Sequence, residues 1–208
     1  MCLTRWPDLV LARLQTSTSP FAKSLSITNL AAGGNRILYD GLGPNVLSRL
    51  DRDILSHAGV HYAMIFEGVN DIGVAGPDIA NQTLTYNRLV GAYRQIATRI
   101  HAFGIPIFAA TITPFSAPNG NTTLQPYTND VREETRQRVN TFIRTSGVFD
   151  AVLDFDAILR NQTVPSQLAD ALQSGDYLHP NAKGYQTLAE QFDLSLFDRF
   201  EGGVQGFL

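Results

Sequence analysis

The chain has 208 residues, 44% hydrophobic and 17% charged, with a formal net charge of -3. That is the size of one domain with its own core, and the balance excludes a disordered chain. The absence of any apolar run near the ~20 residues that cross a bilayer excludes a membrane span, and the absence of a basic cluster argues against a nucleic-acid partner.

In chain order, Pro7 to Gln15 reads as a short helix with Trp6, Leu9, Val10 and Leu14 on one face and Pro7 in its first turn. Thr16 to Pro20 is a loop. Ser24 to Leu30 alternates and is rich in β-formers, which predicts a strand, and Ala31 to Asn35 is the turn leaving it. Pro44 to Leu55 is helical, with Val46, Leu47, Leu50 and Ile54 inward. Tyr62 to Phe66 is an apolar run too short for a helix, as expected of a strand covered on both faces. A second Gly/Asn turn, Gly68 to Asp71, follows. Thr83 to Phe103 is the strongest helical pattern, stopped by Gly104. Ile105 to Ile112 reads as a buried strand, and Pro114 to Thr128 as a long functional loop with Phe115 and Tyr127 shaping a pocket. Asp130 to Ser146 is a helix ended by Gly147, Val148 to Phe155 a strand, and Ala182 to Phe192 the final helix.

Strands alternating with long helices predict βαβ units, hence a parallel sheet with helices on both faces. In such sheets ligands bind outside the carboxyl ends of the strands. Gly34, Asn70 and the loop carrying His179 are therefore expected to meet at one edge.

The stretch Asp176-Tyr177-Leu178-His179-Pro180-Asn181 carries the chemistry. A carboxylate three residues before a histidine can hold its Nδ1–H, leaving Nε2 to take a proton from a nucleophile. Asn181 suits the cap of the following helix. Taken alone, an Asp-x-x-His also fits a surface turn. Gly34 at a strand exit lets a substrate oxygen reach its N–H, and the Asn70 amide offers a second donor. A donor to a developing oxyanion contributes about 3–4 kcal/mol of transition-state stabilisation. A plain loop glycine and an Asx-turn are the alternatives at these two positions. Asp71 is read as bracing its turn, Glu67 as a supporting group, and His57, His61 and His101 as structural or solvated. The single Cys2 excludes an internal disulfide and a cysteine-built metal site.

Asn29-Leu30-Ala31-Ala32-Gly33-Gly34, Gly68-Val69-Asn70-Asp71 and Asp176-x-x-His179 resemble three of the four sequence blocks of the SGNH (GDSL-type) hydrolases, in matching order and spacing. That resemblance implies a flavodoxin-like α/β/α sandwich, one domain over residues 1–208, and a carboxylic-ester hydrolase. Its substrate would be a small-molecule ester or an acylated carbohydrate, with no cofactor or metal. His179 would be the base, Asp176 its orienter, and Gly34 and Asn70 the oxyanion donors.

The family's first block, a Gly-Asp-Ser closing the first strand, has no counterpart here, and no nucleophile is visible. Ser17, Ser19, Ser24 and Ser26 fall in a loop or at the base of the next strand. In the family that first strand runs between the segments that here end at Asn29 and Glu67. The expectation is therefore an N-terminally truncated chain of marginal stability, because six missing buried residues remove about 10 kcal/mol or more. The alternative is an inactive pocket protein binding an acyl or carbohydrate ligand. A flavodoxin-like nucleotide binder lacks support, since neither a P-loop nor a Gly-x-Gly-x-x-Gly follows any strand. Asn-x-Thr triplets at Asn81, Asn121 and Asn161 suggest a secreted glycoprotein, although the first residues lack signal-peptide character. A monomer is expected.

Overall fold

A computed structural model describes residues 5–205; Cys2 lies outside them. Three strands, β1 (Ala63–Ile65), β2 (Ile107–Ala110) and β3 (Ala151–Leu153), form a parallel sheet in the order β1-β2-β3. Ala63 pairs with Ile107 and Phe108 with Ala151, so one pleat phase runs through the sheet. All four residues of β2 are buried, as a central strand covered on both faces requires.

The helices sort by that phase. Ala63, Ile65, Ile107 and Ala109 pack against α3 (Val46–Leu50), α5 (Ile79–His101) and α6 (Asp130–Thr145) through Leu50, Leu89, Tyr93, Ile96, Val139 and Ile143. Phe108, Ala110, Ala151 and Leu153 face α1 (Trp6–Gln15), α8 (Ala182–Gln191) and α9 (Ser195–Arg199) through Val10, Leu14, Leu188, Ala189, Leu196 and Phe197. The result is a three-layer α/β/α arrangement, as the alternation of elements predicts. Two short helices, α4 (Val69–Val74) and α7 (Phe155–Leu159), sit at the carboxyl ends of β1 and β3.

A buried ion cluster fixes α6 to that edge. Arg136, with no exposed side-chain surface, bonds Asp156 Oδ1 at 2.7 Å, Glu133 Oε1 at 2.6 Å and the Ile112 carbonyl at 2.8 Å. Arg144 bonds both Asp154 and Asp156. All charges here have partners, the condition under which a buried pair can hold.

Three expectations are corrected. Pro20–Ser24 is a helix, α2, capped by Ser19, which accepts from the Ala22 N–H. Gly68 to Asp71 is not a free turn but the cap and first turn of α4, with Gly68 at φ 116. A side chain at Gly68 would meet the Tyr93 hydroxyl at 2.8 Å. The predicted strand from Ser24 to Leu30 is absent. Residues 25–30 belong to no ladder, because beside them lies a cleft of about 760 Å³ bounded by Ile27, Asn29, Met64 and Phe66. Strand propensity acts through cross-strand neighbours, and among the described residues none lies beside this segment.

Candidate active site

The segment 174–181 folds back on one carboxylate. Asp176 Oδ1 accepts from the backbone N–H of Leu178 (3.0 Å) and His179 (2.9 Å) and from the Ser174 hydroxyl (3.0 Å). Its Oδ2 meets His179 Nδ1 at 2.6 Å. Tyr177, at φ 59, takes the left-handed conformation that closes this turn, a strained geometry of the kind held at functional sites. Burial opposes ionisation of Asp176, but the four bonds outweigh it and hold the carboxyl well below the usual range. Asn181 caps α8, accepting from the Gly184 N–H at 2.9 Å. His179 is thus held from its Nδ1 side with 63% of its side chain exposed.

At the end of β1, Asn70 Nδ2 donates to the Asn35 carbonyl at 3.0 Å, and its Oδ1 accepts from the Tyr127 hydroxyl at 3.1 Å. Asn70 is therefore tied to the 33–35 turn and is no Asx-turn. Asp71 braces as expected, but across the chain, its carboxylate accepting from the N–H groups of Ile37 (2.8 Å) and Leu38 (3.0 Å). Gly34 has φ 71, and a side chain there would strike Leu42 at 2.5 Å.

The two halves share a third element. Gln125 Nε2 donates to the Asp176 carbonyl (2.9 Å) and its Oε1 accepts from the Tyr127 N–H (3.0 Å). The 33–35 turn, Asn70 and the Asp176–His179 pair are in this way joined through the loop from Pro114 to Thr128. That loop is buried at residues 114–117, at Gln125 and at Thr128, with Phe115 at 0% exposure, and exposed between them over residues 119–124.

Glu67, mostly buried at the top of the cleft, is pushed up to about 8; burial is the main cause, Asp71 adds to it and Arg49 opposes. At neutral pH it is a neutral acid. His101 is not without a partner: its Nε2 lies 2.8 Å from Asp150 Oδ2, which also accepts from the Ile107 N–H. That pair braces the amino end of β2, opposite the site.

Among the described residues no hydroxyl bonds His179 Nε2. Ser19 caps α2 and donates to Asp198, Ser24 donates to the Phe21 carbonyl, and Ser174 is engaged with Asp176. Among the described residues, no three His, Cys, Asp or Glu side chains are grouped to hold a metal ion, and no helix is long and apolar enough to cross a membrane.

The sequence profile of the GDSL-like Lipase/Acylhydrolase family matches residues 1–187. The chain belongs to that family. Similar solved structures include LAE5, an alpha/beta hydrolase enzyme from the metagenome of Lake Arreo (17% identity, TM-score 0.51, 89% of this chain and 78% of that one). A candidate acylhydrolase of Bacteroides fragilis (18%, TM-score 0.50) is covered over 69% of this chain and 64% of its own length. For a GDSL-like lipase of Bacteroides thetaiotaomicron (15%, TM-score 0.49) the shares are 69% and 65%. The chain thus spans a little under two thirds of the two Bacteroides proteins, and at these identities the likeness concerns the fold. No curated protein matches it.

In this GDSL-like chain Ser174 and Gln125 are site residues beyond those read from the sequence, and Tyr127, read there as shaping a pocket, holds the Asn70 amide. Ser174, two residues before Asp176, was open to detection as a local hydroxyl–carboxylate pair. Tyr127 lay in a loop already marked as functional. Gln125 carried no signal, since its partners are distant in sequence.

Proposed function

We propose that this GDSL-like chain is a carboxylic-ester hydrolase acting on a small ester or an acylated carbohydrate. His179 Nε2 takes the proton of an attacking hydroxyl as that oxygen bonds the acyl carbon. The N–H of Gly34 and the free Nδ2–H of Asn70 receive the charge on the carbonyl oxygen. His179 then returns the proton to the departing alcohol, and a water repeats the cycle to release the acid. Asp176 keeps the imidazole in the useful tautomer.

The observation that carries this reading is the Asp176–His179 pair, its Nε2 free, linked through one loop to an amide whose donor side is fixed. The hydroxyl comes on an extended segment seated in the cleft. Ala63 N–H donates to the Pro106 carbonyl, so strand alternation turns the backbone groups of Met64 toward the cleft. A hydrocarbon ligand would leave such groups without partners, whereas a strand satisfies them. The upper end of that strand falls beside Glu67 and Ala31, which line the cleft.

The test mixes the 208-residue protein with an apolar strand peptide ending in Gly-Asp-Ser and follows hydrolysis of a short-chain aryl ester. Turnover should appear with the peptide, vanish for His179→Ala and fall less for Asp176→Ala. A peptide that binds without turnover would favour the second reading, a ligand-binding protein, which draws on the lack of a hydroxyl beside His179.

A further inference from the structure

The loop from Pro114 to Thr128 touches both arms of the site, and the chemistry of its contacts is directional. Asn35 offers Asn70 a carbonyl, which can only accept, so the Nδ2 of Asn70 must face it at 3.0 Å. Oδ1 is then the atom that faces Tyr127, and the phenol must donate at 3.1 Å. With both contacts made, the Asn70 amide cannot flip, and its second N–H is aimed by geometry rather than by chance. Tyr127 itself has little freedom. Its ring lies where a side chain on Gly73 would fall, at 2.2 Å, and it meets the Phe115 ring in a T-shaped contact with centroids 6.2 Å apart. Arg132 reaches the Pro126 and Ala75 carbonyls, holding the loop to the end of α4.

The same loop holds the other arm. The 5%-exposed Gln125 spans from the Tyr127 N–H to the Asp176 carbonyl. An unbroken hydrogen-bonded path thus runs Asn35, Asn70, Tyr127, Gln125, Asp176, His179.

We propose that Gln125 and Tyr127 form a positioning clamp that sets the Asn70 amide in register with the Asp176–His179 pair. The inference rests on the hydrolase reading for its purpose, but not for its test. Neither side chain reacts. Each fixes a group that does, and a 1 Å misplacement in such a site can lower a rate about 100-fold.

The experiment uses side-chain NMR on the 208-residue protein, with the Asn70 amide and His179 ring signals assigned by Asn70→Ala and His179→Ala. Tyr127→Phe removes one oxygen and leaves the packing against Gly73 and Phe115. It should speed exchange of the Asn70 amide protons with solvent about fivefold, as expected from losing one neutral hydrogen bond. Gln125→Met, of similar size, should shift the His179 ring signals. A clamp acting as one unit also requires each variant to move signals on the far arm. Leu14→Ala, in the helix layer on the other face of the sheet, is the packing control and should lower the melting temperature while leaving the Asn70 amide signals in place.

Remote signals unmoved in both variants, with local ones changed, would overturn the clamp even if the protein hydrolyses esters. Conversely, a protein that hydrolyses nothing would leave the coupling measurable. In the peptide-complemented assay Tyr127→Phe should lower kcat about tenfold or more with KM unchanged. An equal rise in KM would mark a binding role instead.

Discussion

Replacing Glu67 with glutamine should stabilise the protein in a strongly pH-dependent way. Glu67 ionises near pH 8 in the folded chain against an ordinary 4.5, because the cleft and its neighbours desolvate it. Below pH 4.5 both folded and unfolded forms hold the proton, and the group contributes no difference. Between 4.5 and 8 the unfolded chain releases a proton that the folded chain keeps, so stability falls as pH rises. At about 1.4 kcal/mol per unit, this interval amounts to a ceiling of about 5 kcal/mol. That is a third or more of a typical domain's total. Glutamine keeps the shape and never ionises, so Glu67→Gln should match the parent at pH 4 and exceed it by several kcal/mol at pH 8.5. Other titrating groups are common to both proteins and cancel in the difference. Urea unfolding at pH 4, 6.5 and 8.5 measures it. A gap between the variants that does not widen with pH would show that Glu67 is not held neutral by the cleft.

Asp156→Ala removes one partner of the fully buried Arg136 and should cost about 3–5 kcal/mol in urea unfolding. Gly73→Ala places a methyl against the Tyr127 ring; overpacking of this kind costs about 1–3 kcal/mol, and it should also release the Asn70 amide, seen as faster proton exchange. Hydrogen exchange should be slowest in β2, whose four residues are buried, and fast along residues 25–30 until a strand peptide fills the cleft beside them.

The parts of the fold that depend on burial periodicity were legible. α5, α6 and α8 follow their apolar stripes to within a few residues, and β2 declares itself as an uninterrupted apolar run. The short helices α2, α7 and α9, each of five residues, carry too few turns to show a period. Ser24 to Leu30 has the composition of a strand, yet pairing is a property of two strands, and among the described residues no strand lies beside it. In the site, Asp176 and His179 were readable because the contact is local. The Asn70 tie to Asn35 and Tyr127, with partners 35 and 57 residues away, was not. His101 reads from the sequence as structural or solvated, but its pairing with Asp150, 49 residues away, was not legible for the same reason.

The central claim is that His179 serves a hydroxyl that none of this chain's own serines provides. A serine-directed fluorophosphonate probe tests it directly, applied to the 208-residue protein with and without the Gly-Asp-Ser strand peptide. The account predicts no labelled band from the protein alone and a labelled peptide serine in the mixture, lost in His179→Ala. A band from the protein alone, mapped to one of its own serines, would contradict it.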